Sequence, residues 1–465
     1  MDPNNHPTKI PLMKFLKILL KSIMIIIALV MIAIPFFIRR ADRTPIEQTD
    51  FHQQMLSIFD SLKQGPTTID TNTQLLAGWS KANLTPAKPM PTAGYGKREG
   101  KPYQTIHDSI YARAIYLQQG QNQAAIVSCD LLIIPPELTL LLKQKIPAIG
   151  MNFSEVYIGA THSHNSIGGW GKRYIGELFA GKYDAAMVEK LAEKIVQAIS
   201  IAKGKAKPVQ LSYASIAQPD LVKNRTVGEK GTEDPFLRMI YLQGLEPLAP
   251  KAILTSFAAH ATTLSDSVMR LSRDYPGQLV DGLEKDLGFD QALHLAGAVG
   301  SMGPEEETGT TDWEQLSHVA NGLKNAIQQN AISLPLKPNL KVLTLKLPMR
   351  EPQWRFAKDW CFRHWLWTKL YGDYDNEVKM LRIGSLVMVG LPCDFSGELM
   401  KDLTDYAATK GKQLMVTSFN GGYVGYITKD SYYDHPGYET RIMNWFGPGN
   451  AAYFSEVVRK LVDLP

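Results

Sequence analysis

The sequence is short of cysteine, of long apolar runs, and of net charge beyond its first residues. Cys129, Cys361 and Cys393 are the three cysteines in 465 residues. So sparse and odd a set excludes a disulfide framework for the fold. Cys129 lies in the apolar stretch Ala124 to Leu132 and reads as a small core residue. The formal net charge is +5, and residues 1–43 supply it with seven Lys/Arg against two Asp. The remaining 43 basic and 43 acidic residues cancel. A body without net charge carries no nucleic-acid footprint, and it does not steer strongly charged substrates from a distance. Composition gives no sign of repeats or of disorder.

One uncharged run is present, Ser22 to Ile38, closed by Arg39 and Arg40. With the flanking Leu12 to Leu20 it is long enough, as a helix, for about 30 Å of hydrocarbon. A secretory signal peptide shares these features, but no small-x-small cleavage site follows the run. We read residues 1–40 as a cytoplasmic tail and an uncleaved signal anchor. Lys9, Lys14, Lys17 and Lys21 favour the N-terminus inside, and Arg39, Arg40 and Arg43 weaken that bias. The expected location is a single-pass membrane protein with its body on the extracytoplasmic side.

Residues 41–76 read as a polar linker in which Phe51, Met55, Ile58, Phe59 and Leu62 fall at helical spacing. Such a helix packs on the body or lies at the membrane surface. From residue 77 the chain alternates apolar strand patterns with amphipathic helix patterns. Strands are expected at Ala124 to Leu132, Val156 to Ile158, Val209 to Ala214, Leu237 to Leu242, Ala252 to Ala258, Leu340 to Leu347, Leu381 to Gly390 and Gln413 to Thr417. Helices are expected at Pro135 to Ile146, Asp184 to Lys203, Tyr275 to Leu287, Trp313 to Asn330, Ser396 to Thr409 and Pro448 to Val462. The order predicts an α/β body with mixed β-sheets surrounded by helices, one large domain over 77–465.

The chemistry gathers at Ala160-Thr161-His162-Ser163-His164. A strand places residues i and i+2 on one face, so His162 and His164 would offer two imidazoles to one site. Neutral imidazole is a good zinc ligand. Two polar loop histidines bonded to backbone would give the same spelling. Ala252 to Ala258 delivers His260, which reads equally as a satisfied core histidine. Asp394 reads also as a helix N-cap, with Ser396 as a rival cap. Tyr426 and Tyr438 read also as half-buried aromatics, and Arg225 as a loop charge.

Seven segments, in order, resemble the catalytic domain of the neutral, non-lysosomal ceramidases. They are AGWSKANLTP (77–86), the hairpin YARAIYL and IVSCDLL, ATHSHNSIGG (160–169), KNRT (223–226), FAAHATTLS (257–265), GLPCDFSGEL (390–399), and GGYVGYIT with GYET. The resemblance implies a zinc site held by His162, His260, Asp394 and Tyr426. It implies His164, Arg225 and Tyr438 as groups beside the metal or facing substrate. It implies a lipid amide substrate at the membrane, cleaved by metal-activated water. Two histidines and a carboxylate with an open position suit catalytic zinc, which brings the pKa of bound water down to about 7.

The chain departs from that pattern in three places. Asp394 stands where a glutamate is usual, one methylene shorter. Gly303 stands at the position of a catalytic serine, within Gly300-Ser301-Met302-Gly303-Pro304. Either Ser301 takes that role by a local shift, or metal-activated water suffices, or the original reaction is lost. The chain ends at Pro465, so the β-sandwich domain of longer members is not expected. Two other readings stay open. One is a metallohydrolase for another amide or ester, and the other a metal- or lipid-binding relative without turnover. A basic segment with Trp354, Trp360, Trp365 and Trp367 suits a membrane interface, or a helix packed on the body.

Overall fold

Along Tyr111–Gln119 the side chains alternate as strand geometry requires. Ile115 and Leu117 enter one core, and Ala114 and Tyr116 the core on the opposite face. Both faces are covered, so most of this strand is apolar rather than alternating with polar residues. The computed structural model describes residues 12–64, 73–329 and 333–465. Lys9 and the rest of the expected tail up to residue 11, part of the linker, and Asn330 lie outside the described residues.

The strand belongs to a nine-stranded mixed sheet. Its spatial order is Gln291–Ala296, Lys251–Phe257, Phe236–Gly244, Lys207–Ala217, Leu76–Asn83, Tyr111–Gln119, Asn122–Cys129 and Val156–Ala160, with Leu334–Leu336 added beside Lys207–Ala217. A second sheet orders Leu340–Lys346, Glu377–Ile383, Leu386–Gly390 and Gln413–Thr417. The inner faces of the two sheets share one core, where Leu254, Leu293 and Leu295 meet Leu381, Met388 and Met415. Pro136–Lys145, Ala185–Gly204, Asp274–Lys285 and Asp312–Gln329 cover the outer face of the large sheet. Asp50–Lys63, Met400–Thr409 and Asn450–Asp463 cover the outer face of the small one. The result is four layers, helix, sheet, sheet, helix, and it matches the expected mixed α/β class.

Two local expectations change, and one choice left open is decided. The stretch Leu381 to Gly390 is a hairpin, Glu377–Ile383 against Leu386–Gly390, turning at Gly384 in the left-handed region (φ 59°). The linker helix Asp50–Lys63 packs on the body through buried His52, Met55 and Phe59. The Trp-rich segment is two short strands and one short helix, His364–Leu370, not a continuous helix. Met13–Phe37 is apolar and exposed, and long enough to cross a membrane.

Candidate metal centre

Three parallel-paired strands aim their C-terminal ends at one place. Val156–Ala160 runs parallel to Asn122–Cys129 and leads to His162. Lys251–Phe257 runs parallel to Gln291–Ala296 and leads to His260. Leu386–Gly390 runs parallel to Gln413–Thr417 and leads to Asp394. Loops leaving such strand ends are where α/β sheets commonly build sites.

Strand alternation is not what joins the histidines. The strand ends at Ala160, and His162 takes a left-handed backbone (φ 65°). A non-glycine residue pays for that conformation, which marks a constrained position. The turn brings the Nε2 atoms of His162 and His164 to 3.1 Å. One ring nitrogen from each of His162, His164 and His260 lies within 4.8 Å of the other two, so these residues could hold a metal ion.

Each buried ring is oriented from behind. His162 Nδ1 donates to the Leu132 carbonyl at 2.7 Å, and the ring stacks on Phe419 at 4.0 Å. His260 Nδ1 faces the carbonyls of Val299 at 2.8 Å and Met302 at 3.0 Å. A carbonyl only accepts, so Nδ1 carries the proton and Nε2 presents its lone pair. Burial drives His162 down to about 3, and His164 and His260 well below the usual imidazole range. All three are neutral at pH 7, the state a metal needs.

Asp394 is fully buried. Its Oδ2 accepts from the Tyr423 hydroxyl at 2.6 Å. Its Oδ1 has no hydrogen-bond partner, and stands 3.4 Å from His260 Nε2 and 3.7 Å from His162 Nε2. Burial pushes this carboxyl up, and the His162 ring and the Tyr423 phenol pull it back. Asp394 and Tyr426 are register partners in a short parallel pair. Gly300 lies directly against the Asp394 strand, because a Cβ there would be 2.5 Å from the Asp394 carbonyl oxygen.

Arg225 Nη2 donates to the Tyr426 hydroxyl and to His260 Nε2, both at 3.0 Å. Its Nε lies 3.5 Å from Glu439. Tyr438 packs edge-on against Tyr426, ring centres 6.0 Å apart, and is 44% exposed. Ser301 is placed differently. Its hydroxyl is 2.5 Å from Ser396 Oγ, while its carbonyl accepts from the Arg225 amide. Gly303 borders Arg225, whose Cδ would be 3.5 Å from a Cβ at that position.

An unpartnered buried carboxylate oxygen facing two imidazole lone pairs is the donor set of a cation site. The residues present therefore fit zinc. Sequence reasoning missed Phe419, Tyr423 and Tyr95, whose ring lies 4.9 Å from His164. Tyr423 sits inside the quoted tyrosine segment and was legible there. Phe419 left no signal.

A search of curated proteins by sequence gave no match. Residues 75–301 match the family model described as neutral/alkaline non-lysosomal ceramidase, N-terminal. That stretch contains His162, His164, Arg225, His260 and Ser301, while Asp394 and Tyr426 lie beyond it. Among solved structures, the neutral ceramidase from Pseudomonas aeruginosa matches with a TM-score of 0.73 at 17% identity, over 84% of this chain and 74% of that one. A ceramidase complexed with C2 matches at 0.72 and 17%, over 84% and 75%. Residues 75–301 are thus similar to the N-terminal domain of the neutral/alkaline non-lysosomal ceramidases, and the chain has the fold that the resemblance implied.

Proposed function

We propose that the chain is a membrane-anchored, zinc-dependent hydrolase that cleaves the amide bond of an N-acylated lipid. A ceramide-like substrate would give a fatty acid and a sphingoid base. The observation that carries the reading is Asp394 Oδ1, unpartnered and facing His162 and His260. The family match and the fold support amide hydrolysis.

His162, His260, Asp394 and Tyr426 would hold the zinc. Bound there, it supplies a Lewis acid that acidifies water and polarises the scissile carbonyl. The chain's own groups do the rest. Arg225 offers guanidinium N–H donors to the oxyanion that forms on the carbonyl carbon. Glu439 and the Arg225 amide contact with Ser301 hold that guanidinium in place. His164, neutral through burial and with Nδ1 unpartnered, takes a proton and passes it to the leaving amine. Tyr438, exposed beside Tyr426, meets the substrate at the mouth. The Ser301 hydroxyl is engaged with Ser396, which supports water rather than Ser301 as the nucleophile.

Residues 1–40 then serve as tail and anchor, 41–76 as linker, and 77–465 as one catalytic domain on the extracytoplasmic side. A different amide or ester is the second reading, favoured by the missing side chain at Gly303. The test is elemental analysis of the full chain in detergent together with hydrolysis of a fluorescent ceramide, wild type beside His260→Ala. Zinc and cleavage lost together support the amidase. Zinc without cleavage moves the substrate to another acyl compound, and absence of metal in the folded wild type overturns the site.

A further inference from the structure

A helix leaves its last carbonyls without partners inside itself. Here the body supplies donors to the end of the apolar helix. Arg363 Nε reaches the Pro35 carbonyl at 2.5 Å, Trp365 Nε1 that of Phe36 at 2.8 Å, and the Arg363 amide that of Phe37 at 2.9 Å. Ile38–Arg40 then pairs antiparallel with Trp360–Phe362, which pairs with Arg355–Ala357. The helix therefore enters the body through a three-stranded sheet and not through a free linker.

The outer side of this module is aromatic. Phe37, Phe356, Trp360 and Trp365 are each between 43% and 48% exposed. Trp365 packs on Phe37 with ring centres 5.3 Å apart, and the Arg40 guanidinium lies 5.7 Å from the centre of the Trp360 ring. Arg40, the register partner of Trp360, comes three residues after Phe37. At about 3.3 Å per strand residue, that is at most about 10 Å from the helix end. The headgroup layer on each side of the hydrocarbon is of comparable thickness, about 5–8 Å. Tryptophan with arginine is the composition that settles at that depth.

The inner side of the module reaches the candidate site. Arg355 is 1% exposed, and its Nη2 donates to the carbonyls of Tyr433 and Thr440, both at 2.7 Å. Its guanidinium lies 3.4 Å from the centre of the Tyr433 ring. Thr440 lies in the turn Tyr438–Ile442, where Tyr438 and Ile442 are exposed and Glu439 pairs with Arg225.

We propose that the sheet of Ile38–Arg40, Arg355–Ala357 and Trp360–Phe362 lies in the headgroup layer of a phospholipid bilayer, and holds the Tyr438–Ile442 turn against that surface. A lipid amide then enters the site from the leaflet in which the helix ends. The inference rests on the membrane-anchor and lipid-amide readings above. It adds a docking surface and a direction of entry.

The experiment uses the full chain reconstituted in phosphatidylcholine vesicles. The lipids carry bromine high on the acyl chain, which quenches nearby indole emission. We expect quenching in the wild type and its loss in Trp360→Phe/Trp365→Phe, a change that keeps an aromatic ring at both positions and gives up only the Trp365 bond to the Phe36 carbonyl. In that background, Ile442→Trp should restore quenching, because the mouth turn meets lipid. A chain that floats with the vesicles yet is quenched no more than the double variant overturns the docking surface. No restored quenching with Ile442→Trp overturns the direction of entry. A chain that does not float overturns the membrane-anchor reading, and the proposal with it. None of these readouts depends on turnover, so failure of the amidase reading would be seen separately.

Discussion

The two walls of the candidate site are built to different standards. On one wall, His162, His260 and Asp394 are buried, and each is fixed from behind by a backbone carbonyl or a phenol. On the other, Gly303 has no side chain, Ser301 is turned to Ser396, and Tyr438 is exposed. The first wall has the supported donors of a metal site. The second leaves Arg225 as its one strong group. The difference teaches that a reaction here must lean on the metal side and on Arg225, with little from a side-chain nucleophile.

The largest effect should come from breaking the first wall. His162→Ala or His260→Ala should take bound zinc from about one per chain to background, and amide cleavage with it. Elemental analysis and activity on the same sample check this. An active variant with no metal would dissolve the contrast between the walls. Next comes Arg225→Met, which leaves zinc in place and lowers kcat by about 10²–10³-fold, the usual cost of losing an oxyanion donor. The loss should fall on kcat more than on KM.

Tyr423→Phe tests whether the support behind the ligands matters. It removes the hydrogen bond to Asp394 Oδ2 and leaves Oδ1 untouched. Zinc affinity should drop about 10–100-fold, read by competition with a chelator. Unchanged affinity would mean that Asp394 is positioned by backbone alone.

How much of this contrast was legible in the sequence follows from where each constraint originates. Val156–Ala160 and His162 were readable because a strand signal runs directly into the histidines. The hairpin at Gly384 was not, since both of its strands are buried on two faces and read as one apolar run. Asp394 and Tyr426 carry no local metal signal and came only with the resemblance. The sheet at the end of the apolar helix was invisible because Ile38–Arg40 pairs with residues more than 300 positions away. Phe419 beneath His162 is likewise a product of tertiary packing.

A histidine outside the cluster sharpens the comparison further. His294 is 1% exposed and burial alone lowers it to about 3, yet it has no part in the donor set. Between about pH 6.5 and 3 the unfolded chain binds a proton there that the folded chain does not. Its contribution to stability therefore falls as pH falls through that window. From pH 7 to 5 it should cost about 2 kcal/mol, at about 1.4 kcal/mol per pH unit below 6.5. His294→Gln should show a smaller acid drop in thermal midpoint than wild type, because the other buried histidines contribute equally in both. An equal drop would show that burial of this ring is relieved before the chain unfolds.

The smallest effect should come from filling the second wall. A Cβ at Gly303 would meet Arg225 Cδ at 3.5 Å and Cβ at 3.7 Å, ordinary van der Waals contact. Gly303→Ser should therefore fold, with stability changed by less than about 1 kcal/mol. If cleavage rests on metal-activated water and Arg225, the added hydroxyl should change kcat by less than about tenfold, within the range of one more polar contact. Kinetics on the same fluorescent ceramide decide it. A rise of several orders of magnitude would mean that the reaction had been waiting for that hydroxyl, and that the wild-type chain acts on a substrate which does not need it.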